Sequence, residues 1–390
     1  MKTKHFNSKK QLLSTVQKVS PCPLLDLRGR FVLTSHMPGH KLDQLPRYAK
    51  AFPLTEKKAI LIAGRRVALV NGKSKKTYWT LTCPYEAWSY EPGRALLVLR
   101  QEEQLFLWNL QTGQQIGAVE AFDYPASIAF SADGSLMAVS SYTRDIQVWR
   151  LSSGQPEERY LLCPDEEEEY IASATSIAIS PDNQFIAAGD FEENTLYLWR
   201  VADGQLVNKM KYPAAKQLSM RAFNPLTQVW EEILGVPPEH GRIDGLAFSP
   251  DSQLLVNGEG SGSRYIKSMH AWDGRTGRAL PGFPGASHGP IFSPDGKYLA
   301  AMGFSERRTN TITLWEVASR EVVQQIQGPY ITGDLAFTPS GQILVSSDSD
   351  EHVRWWDISS GQELYRVRVA EQFLKELHQP DQERTRKKSS

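Results

Sequence analysis

The chain has 390 residues, 41% of them hydrophobic and 23% charged, with 28 Gly, 23 Pro and 10 Trp. That composition excludes collagen, coiled coil and wholesale disorder, and without a long apolar run it favours many short strands joined by tight turns. The formal net charge is zero but divided: residues 1–76 hold 17 Lys and Arg against Asp26, Asp43 and Glu56, a net of +14, whereas residues 77–374 hold 22 basic against 38 acidic side chains, a net of −16.

Residues 1–45 read as a basic, partly ordered extension, which either lies against the acidic remainder or reaches for an external polyanion. Residues 11–19 are too polar and too short for a signal-peptide core or a membrane span, so the expected setting is cytoplasmic. Cys22, Cys83 and Cys163 are far apart in sequence and read as ordinary reduced thiols rather than a disulfide framework. Segments 24–27 and 31–34 form a candidate hairpin around Arg28-Gly29-Arg30. In His36-Met37-Pro38-Gly39-His40 the central Pro-Gly defeats a helical zinc pair, so the segment reads as a turn and no metal is expected.

Three strands follow, over 59–63, 66–70 and, after the Asn71-Gly72 turn signal, 77–81. From residue 87 a pattern repeats: an apolar strand ends in Trp, a turn follows, then another strand. The terminal residues are Trp108, Trp149, Trp199, Trp272, Trp315 and Trp356, spaced by 41, 50, 73, 43 and 41. Upstream of five of them lies a second recurring turn, as in Ser180-Pro181-Asp182-Asn183 and Ser293-Pro294-Asp295-Gly296; in the last copy Thr338-Pro339-Ser340-Gly341 stands there. Pro presets the turn dihedral, Asp bonds nearby backbone and Gly or Asn accepts positive φ. One unit predicts four strands, 127–131, 136–140, 145–151 and 156–162. Strands apolar at nearly every position, such as Ile177-Ala178-Ile179, need cover on both faces, which stacking the units around a ring supplies.

Over roughly residues 87–369 this pattern resembles the WD-repeat (Trp-Asp) β-propeller family. Only Trp272-Asp273 and Trp356-Asp357 keep the dipeptide, and of the family's turn aspartates only Asp350 survives. The resemblance implies an all-β fold: a single β-propeller of four-stranded antiparallel blades over 46–369, with seven blades favoured and six or eight left open. Lacking a Gly-His pair at the family's spacing, the chain is expected to lack the Trp-Ser-His-Asp hydrogen-bonded network of WD blades. Closure of the ring is left open.

Because successive strands alternate direction, turns after first and third strands share one face, where all are short. The long connections fall on the other: 165–169, 189–194, 211–242, 258–267 and 303–310. Within 211–242, Asn224 as cap, Pro225 at the first turn and a stripe of Leu226, Val229, Trp230, Ile233 and Leu234 predict a short inserted helix. That stripe packs on its own propeller or docks a partner. The acidic run 165–169 reads as a solvated loop.

The leading functional expectation is a non-catalytic protein-interaction scaffold, with a partner held on the loop-rich face by Trp230, Arg264, Tyr265, Phe304, Arg307 and Arg308, since rigidly mounted loops are where recognition concentrates. The alternative is polyanion binding, to RNA or a ribonucleoprotein, by Arg65, Arg66, Lys73, Lys75 and Lys76 with Arg386, Lys387 and Lys388. A third reading is an enzyme with a site in the propeller channel, although no nucleophile elbow, phosphate loop, zinc helix or dinucleotide fingerprint is present and no cofactor is expected. Residues 370–390 read as a tail, beginning with an amphipathic turn through Phe373, Leu374 and Leu377.

Overall fold

The computed structural model describes residues 49–121, 125–141, 146–152, 155–162, 174–190, 195–211, 220–224, 229–233, 243–259, 268–285, 288–304, 310–328, 331–348 and 350–374. They form seven four-stranded antiparallel sheets arranged as a seven-bladed propeller, each built from four consecutive strands. We number the blades 1 (50–82), 2 (86–120), 3 (125–162), 4 (174–211), 5 (243–284), 6 (288–327) and 7 (331–368). The first strands lie innermost: those of blades 3 to 7 and 1 pack in succession against one another, and that of blade 2 packs against the second and third strands of blade 1.

The strand-end tryptophans explain how the blades stack. Trp108, Trp149, Trp199, Trp272, Trp315 and Trp356 each fill the cleft between their own blade and the preceding one. Strand side chains alternate between faces, so the preceding residue points to the following blade; it is small or medium-sized in Leu107, Val148, Leu198, Ala271 and Leu314. Blade 1 carries no such tryptophan. At the seam between blades 7 and 1, Trp355 takes the place of that smaller residue and packs against Ala49, Ala51, Ala59, Leu61, Ala63, Ala68 and Val70. The Trp355-Trp356 doublet therefore fills two interfaces from one strand.

The ring closes by this packing and not by strand exchange, because the first strand of blade 1 (Lys50–Pro53), unassigned from sequence, pairs with its own blade. The closing contacts are specific. A Cβ on Gly72 would lie 2.7 Å from Tyr365 and 2.9 Å from Trp355, so the turn of blade 1 approaches blade 7 as only glycine permits. The short helix Val369–Leu374 packs on the third and fourth strands of blade 1, where Thr77 Oγ1 donates to Gln372 Oε1 at 2.9 Å.

Two expectations are corrected. The helix in 211–242 is replaced by a hairpin of Met220–Asn224 and Val229–Ile233, in which Asn224 opposes Val229 and Phe223 opposes Trp230. The expected absence of the tryptophan network is also only partial: Trp356 Nε1 donates to Ser346 Oγ at 2.9 Å, and Trp272 Nε1 to Asn257 Oδ1 at 2.9 Å.

Candidate functional site

The two faces are built by different chemistry. On the short-turn face the recurring turn closes on itself: Ser131, Ser180, Ser249 and Ser293 each donate Oγ to the Asp two residues on, at 2.7, 2.6, 2.5 and 2.6 Å. Each hydroxyl then accepts the N–H five residues on. Neighbouring turns are also linked, with Asn183 Nδ2 donating to Asp133 Oδ2 at 2.8 Å and Asp182 N–H to Ser252 Oγ at 3.1 Å. Burial alone would raise the Asp133 pKa, but four hydrogen bonds, from Ser131, Ser135 twice and Asn183, outweigh it and hold the carboxyl well below its ordinary range. Such a belt is rigid and repetitive.

Between blades 6 and 7 the belt parts into a groove of about 570 Å³, lined by Asp295, Lys297, Tyr298, Val323, Gln324 and Asp357 among others. No sequence signal marks it, since it joins turns and strands from two repeats.

The opposite face receives the strand ends that flank 163–173, 191–194, 212–242, 260–267 and 305–309, while every connection on the short-turn face spans five residues or fewer. The sorting of bulky connections onto one side thus follows from strand order. Trp230 sits in the hairpin strand Val229–Ile233, and Phe304 ends the strand Tyr298–Phe304 opposite Asn310. Their side chains, like Arg264, Tyr265, Arg307, Arg308 and the run 165–169, lie outside the described residues. So do the hairpin near Arg28, the His36–His40 segment and Arg386, Lys387 and Lys388.

The five basic candidates of blade 1 do not form one set. Arg65 and Arg66 lie at the turn between the second and third strands, on the loop-rich face, and Arg65 Nε donates to Cys83 O at 3.1 Å. Lys73, Lys75 and Lys76 lie at the turn between the third and fourth strands, on the short-turn face. One strand length, about 20 Å, divides the two groups.

Among the described residues no group of His, Cys, Asp and Glu is arranged to hold a metal ion. Cys83 is fully buried and burial, against the opposing charge of Arg65, pushes its thiol up to about 12, so it is no nucleophile at neutral pH. Burial lowers the His270 pKa, which keeps this half-buried blade residue neutral. No helix among them is long and apolar enough to cross a membrane.

The WD domain, G-beta repeat family model matches residues 169–200 and 321–357, stretches that end on the tryptophan-bearing third strands of blades 4 and 7. WD repeat-containing protein slp1 of Schizosaccharomyces pombe is 24% identical over 68% of this chain and 56% of its own length. Periodic tryptophan protein 2 of Arabidopsis thaliana is 22% identical over 68% of this chain and 25% of its own length. The chain therefore spans about half of one curated relative and a quarter of the other. The chain is thus a seven-bladed β-propeller that is similar to the WD-repeat family, with two repeats matching its model and relatives that carry WD repeats.

Proposed function

We propose that the protein is a non-catalytic, cytoplasmic interaction scaffold that holds a protein partner on the loop-rich face through Trp230, Arg264, Tyr265, Phe304, Arg307 and Arg308. The observation that carries this reading is the asymmetry of the connections. One face has only short turns, of which those opening blades 3 to 6 repeat one hydrogen-bonded form, and the other joins its strands by segments that differ in length and composition from blade to blade. A rigid ring presenting dissimilar loops is suited to selecting a partner rather than to transforming a substrate.

The test is affinity purification with the full chain, with a Trp230→Ala, Arg307→Glu, Arg308→Glu variant, and with a Gln342→Glu variant on the short-turn face. A partner retained by the parent and by Gln342→Glu but lost from the triple variant supports the reading. A partner lost only from Gln342→Glu, or none retained at all, removes it.

A further inference from the structure

Two abutting turns of blade 1 concentrate positive charge on the short-turn face. The turn between its first and second strands presents Lys57 and Lys58, and the turn between its third and fourth strands presents Lys73, Lys75 and Lys76. Gly72 N–H donates to Lys57 O at 2.8 Å, which locks the turns together, and Asn71 Oδ1 accepts from Ser74 N–H at 2.9 Å. Lys57, Lys73, Lys75 and Lys76 are exposed.

The acid in these turns and the one on the adjoining turn are committed elsewhere. Glu56, the only acid in these turns, points across the seam, accepting from Thr338 Oγ1 at 2.7 Å and Ser340 N–H at 3.3 Å. Glu91, on the adjoining turn of blade 2, is buried and accepts from the N–H groups of Gly93 and Arg94, both at 2.7 Å. Glu371, exposed on the helix that packs against this blade, is a further acid among the described residues. Five lysines thus stand in two joined turns, on a body whose residues 77–374 carry a net −16.

An aromatic ring lies among the lysines. Tyr78 is 42% exposed, one of four large apolar or aromatic side chains so exposed among the described residues. Lys58 Nζ lies 4.8 Å and Lys76 Nζ 5.5 Å from its ring centroid, and Asn71 Nδ2 donates to its hydroxyl at 3.3 Å. The ring is therefore oriented in advance, with ammonium groups poised over it. When those ammonium groups turn to phosphates they uncover an aromatic surface on which a base can stack.

We propose that the short-turn face of blade 1 binds single-stranded RNA, with Lys57, Lys58, Lys73, Lys75 and Lys76 on phosphates and Tyr78 stacked on a base. Arg65 and Arg66, on the other face, are not part of this site. It is separate from the loop-rich face assigned to a protein partner, so either assignment can fail alone.

The experiment is fluorescence anisotropy of a labelled single-stranded RNA oligonucleotide with the full chain across a salt series, with melting curves to verify that each variant is folded. Binding is expected to weaken linearly with the logarithm of salt. Lys73→Gln, Lys75→Gln, Lys76→Gln together should lower the slope by about 2, at roughly 0.7 per phosphate contact. Tyr78→Ala should weaken binding about tenfold at unchanged slope while Tyr78→Phe retains it, and Arg66→Gln should bind as the parent does. Binding that persists in the triple-lysine variant places the RNA on another basic segment and overturns the assignment. Equal competition by polyglutamate or by phosphatidylserine vesicles, with Tyr78→Ala neutral, reduces the patch to nonspecific anion attraction and overturns it as well, as does an absence of binding at low salt.

Discussion

The carboxylate of Glu56 in blade 1 accepts a hydrogen bond from the hydroxyl of Thr338 in blade 7, and so supplies across the ring what the other recurring turns supply from within. In blades 3 to 6 the turn hydroxyl donates to an Asp two residues on; in blade 7 that position is Ser340, which has no carboxylate. Glu56 Oε2 takes the Thr338 hydroxyl at 2.7 Å and Oε1 the Ser340 N–H at 3.3 Å, while its carbonyl accepts from the Tyr365 hydroxyl. Glu56→Ala should therefore destabilise the propeller by about 1–3 kcal/mol, the usual loss for a charge-assisted hydrogen bond. Adding Ser340→Asp returns a carboxylate to its local place and should recover most of that loss in chemical denaturation. A Glu56→Ala protein as stable as the parent would show that the carboxylate adds nothing at the seam and that Glu56 acts there through its backbone contact with Tyr365 alone.

Trp355→Leu tests the seam packing. Leucine is what blades 2, 4 and 6 carry at this position, so the change moves blade 7 toward the repeat average. It should nonetheless cost about 2–4 kcal/mol, because the alanine-rich wall of blade 1 cannot refill the volume of the lost ring. Trp315→Ala, in the cleft between blades 5 and 6, should cost about 3–5 kcal/mol by the same mechanism. A Trp355→Leu protein as stable as the parent would mean that the seam does not hold the ring closed.

Gly72→Ala probes the same seam from the opposite wall. Its Cβ would meet the Tyr365 and Trp355 rings, both held in the packed interface, so the blades must separate by a few tenths of an ångström. A loss of about 1–3 kcal/mol is expected. Combined with Trp355→Leu the two effects should be less than additive, since the smaller side chain makes room for the methyl group.

These seam contacts also mark where sequence reasoning ends. The repeats were legible because their signals are local: a tryptophan closing an apolar strand and a Ser-Pro-Asp turn each act within a few residues. The partnership of Glu56 with Thr338 spans 282 positions and leaves no pattern in either segment. The insertion failed for a different reason: Val229, Trp230 and Ile233 lie on one stripe of a helix, yet a run this short also suits a β-strand, and Asn224-Pro225 opens a turn as readily as it caps a helix. Arg65 and Arg66 seemed to belong with Lys73, Lys75 and Lys76 by proximity in sequence, until strand direction separated them.

Opposing titrations should shape the pH dependence of stability. Hydrogen bonds from Ser293 and Lys297 lower the pKa of Asp295, and those from Ser359 and Ser360 lower that of Asp357, from an ordinary 3.8. Their contribution is fully present above that value and is lost as pH falls through the lower folded-state values. Asp348 behaves oppositely: burial raises it to about 6, against the lowering influence of Arg354 and Ser346, with Asp350 adding to the rise. Its protonation favours the folded state, so that contribution is complete below 3.8 and lost as pH rises through 6. The melting temperature measured from pH 7 downward should hold or rise to about pH 5 and then fall. Asp348→Asn should remove the pH dependence between 6 and 4 and leave the acid limb intact.

Arg354 is a buried cation, and its neighbours define what removing it should do. It is 2% exposed and is paired with Asp348, with Asp350 through both carboxylate oxygens at 2.9 and 2.5 Å, and with Glu363 at 3.3 Å. Arg354→Met keeps the volume but leaves Asp348 buried beside Asp350 without its cation, a loss expected to be about 3–5 kcal/mol near neutral pH. Adding Asp348→Asn removes the stranded charge and should return a large part of that loss. The deficit of the single variant should also shrink as pH falls, because Asp348, released from the lowering influence of Arg354, takes a proton more readily than in the parent. Denaturation of both variants at pH 7 and pH 5 checks this: a penalty that is the same at both pH values, or that survives Asp348→Asn in full, would assign the cost to lost packing of the arginine stem rather than to an isolated carboxylate.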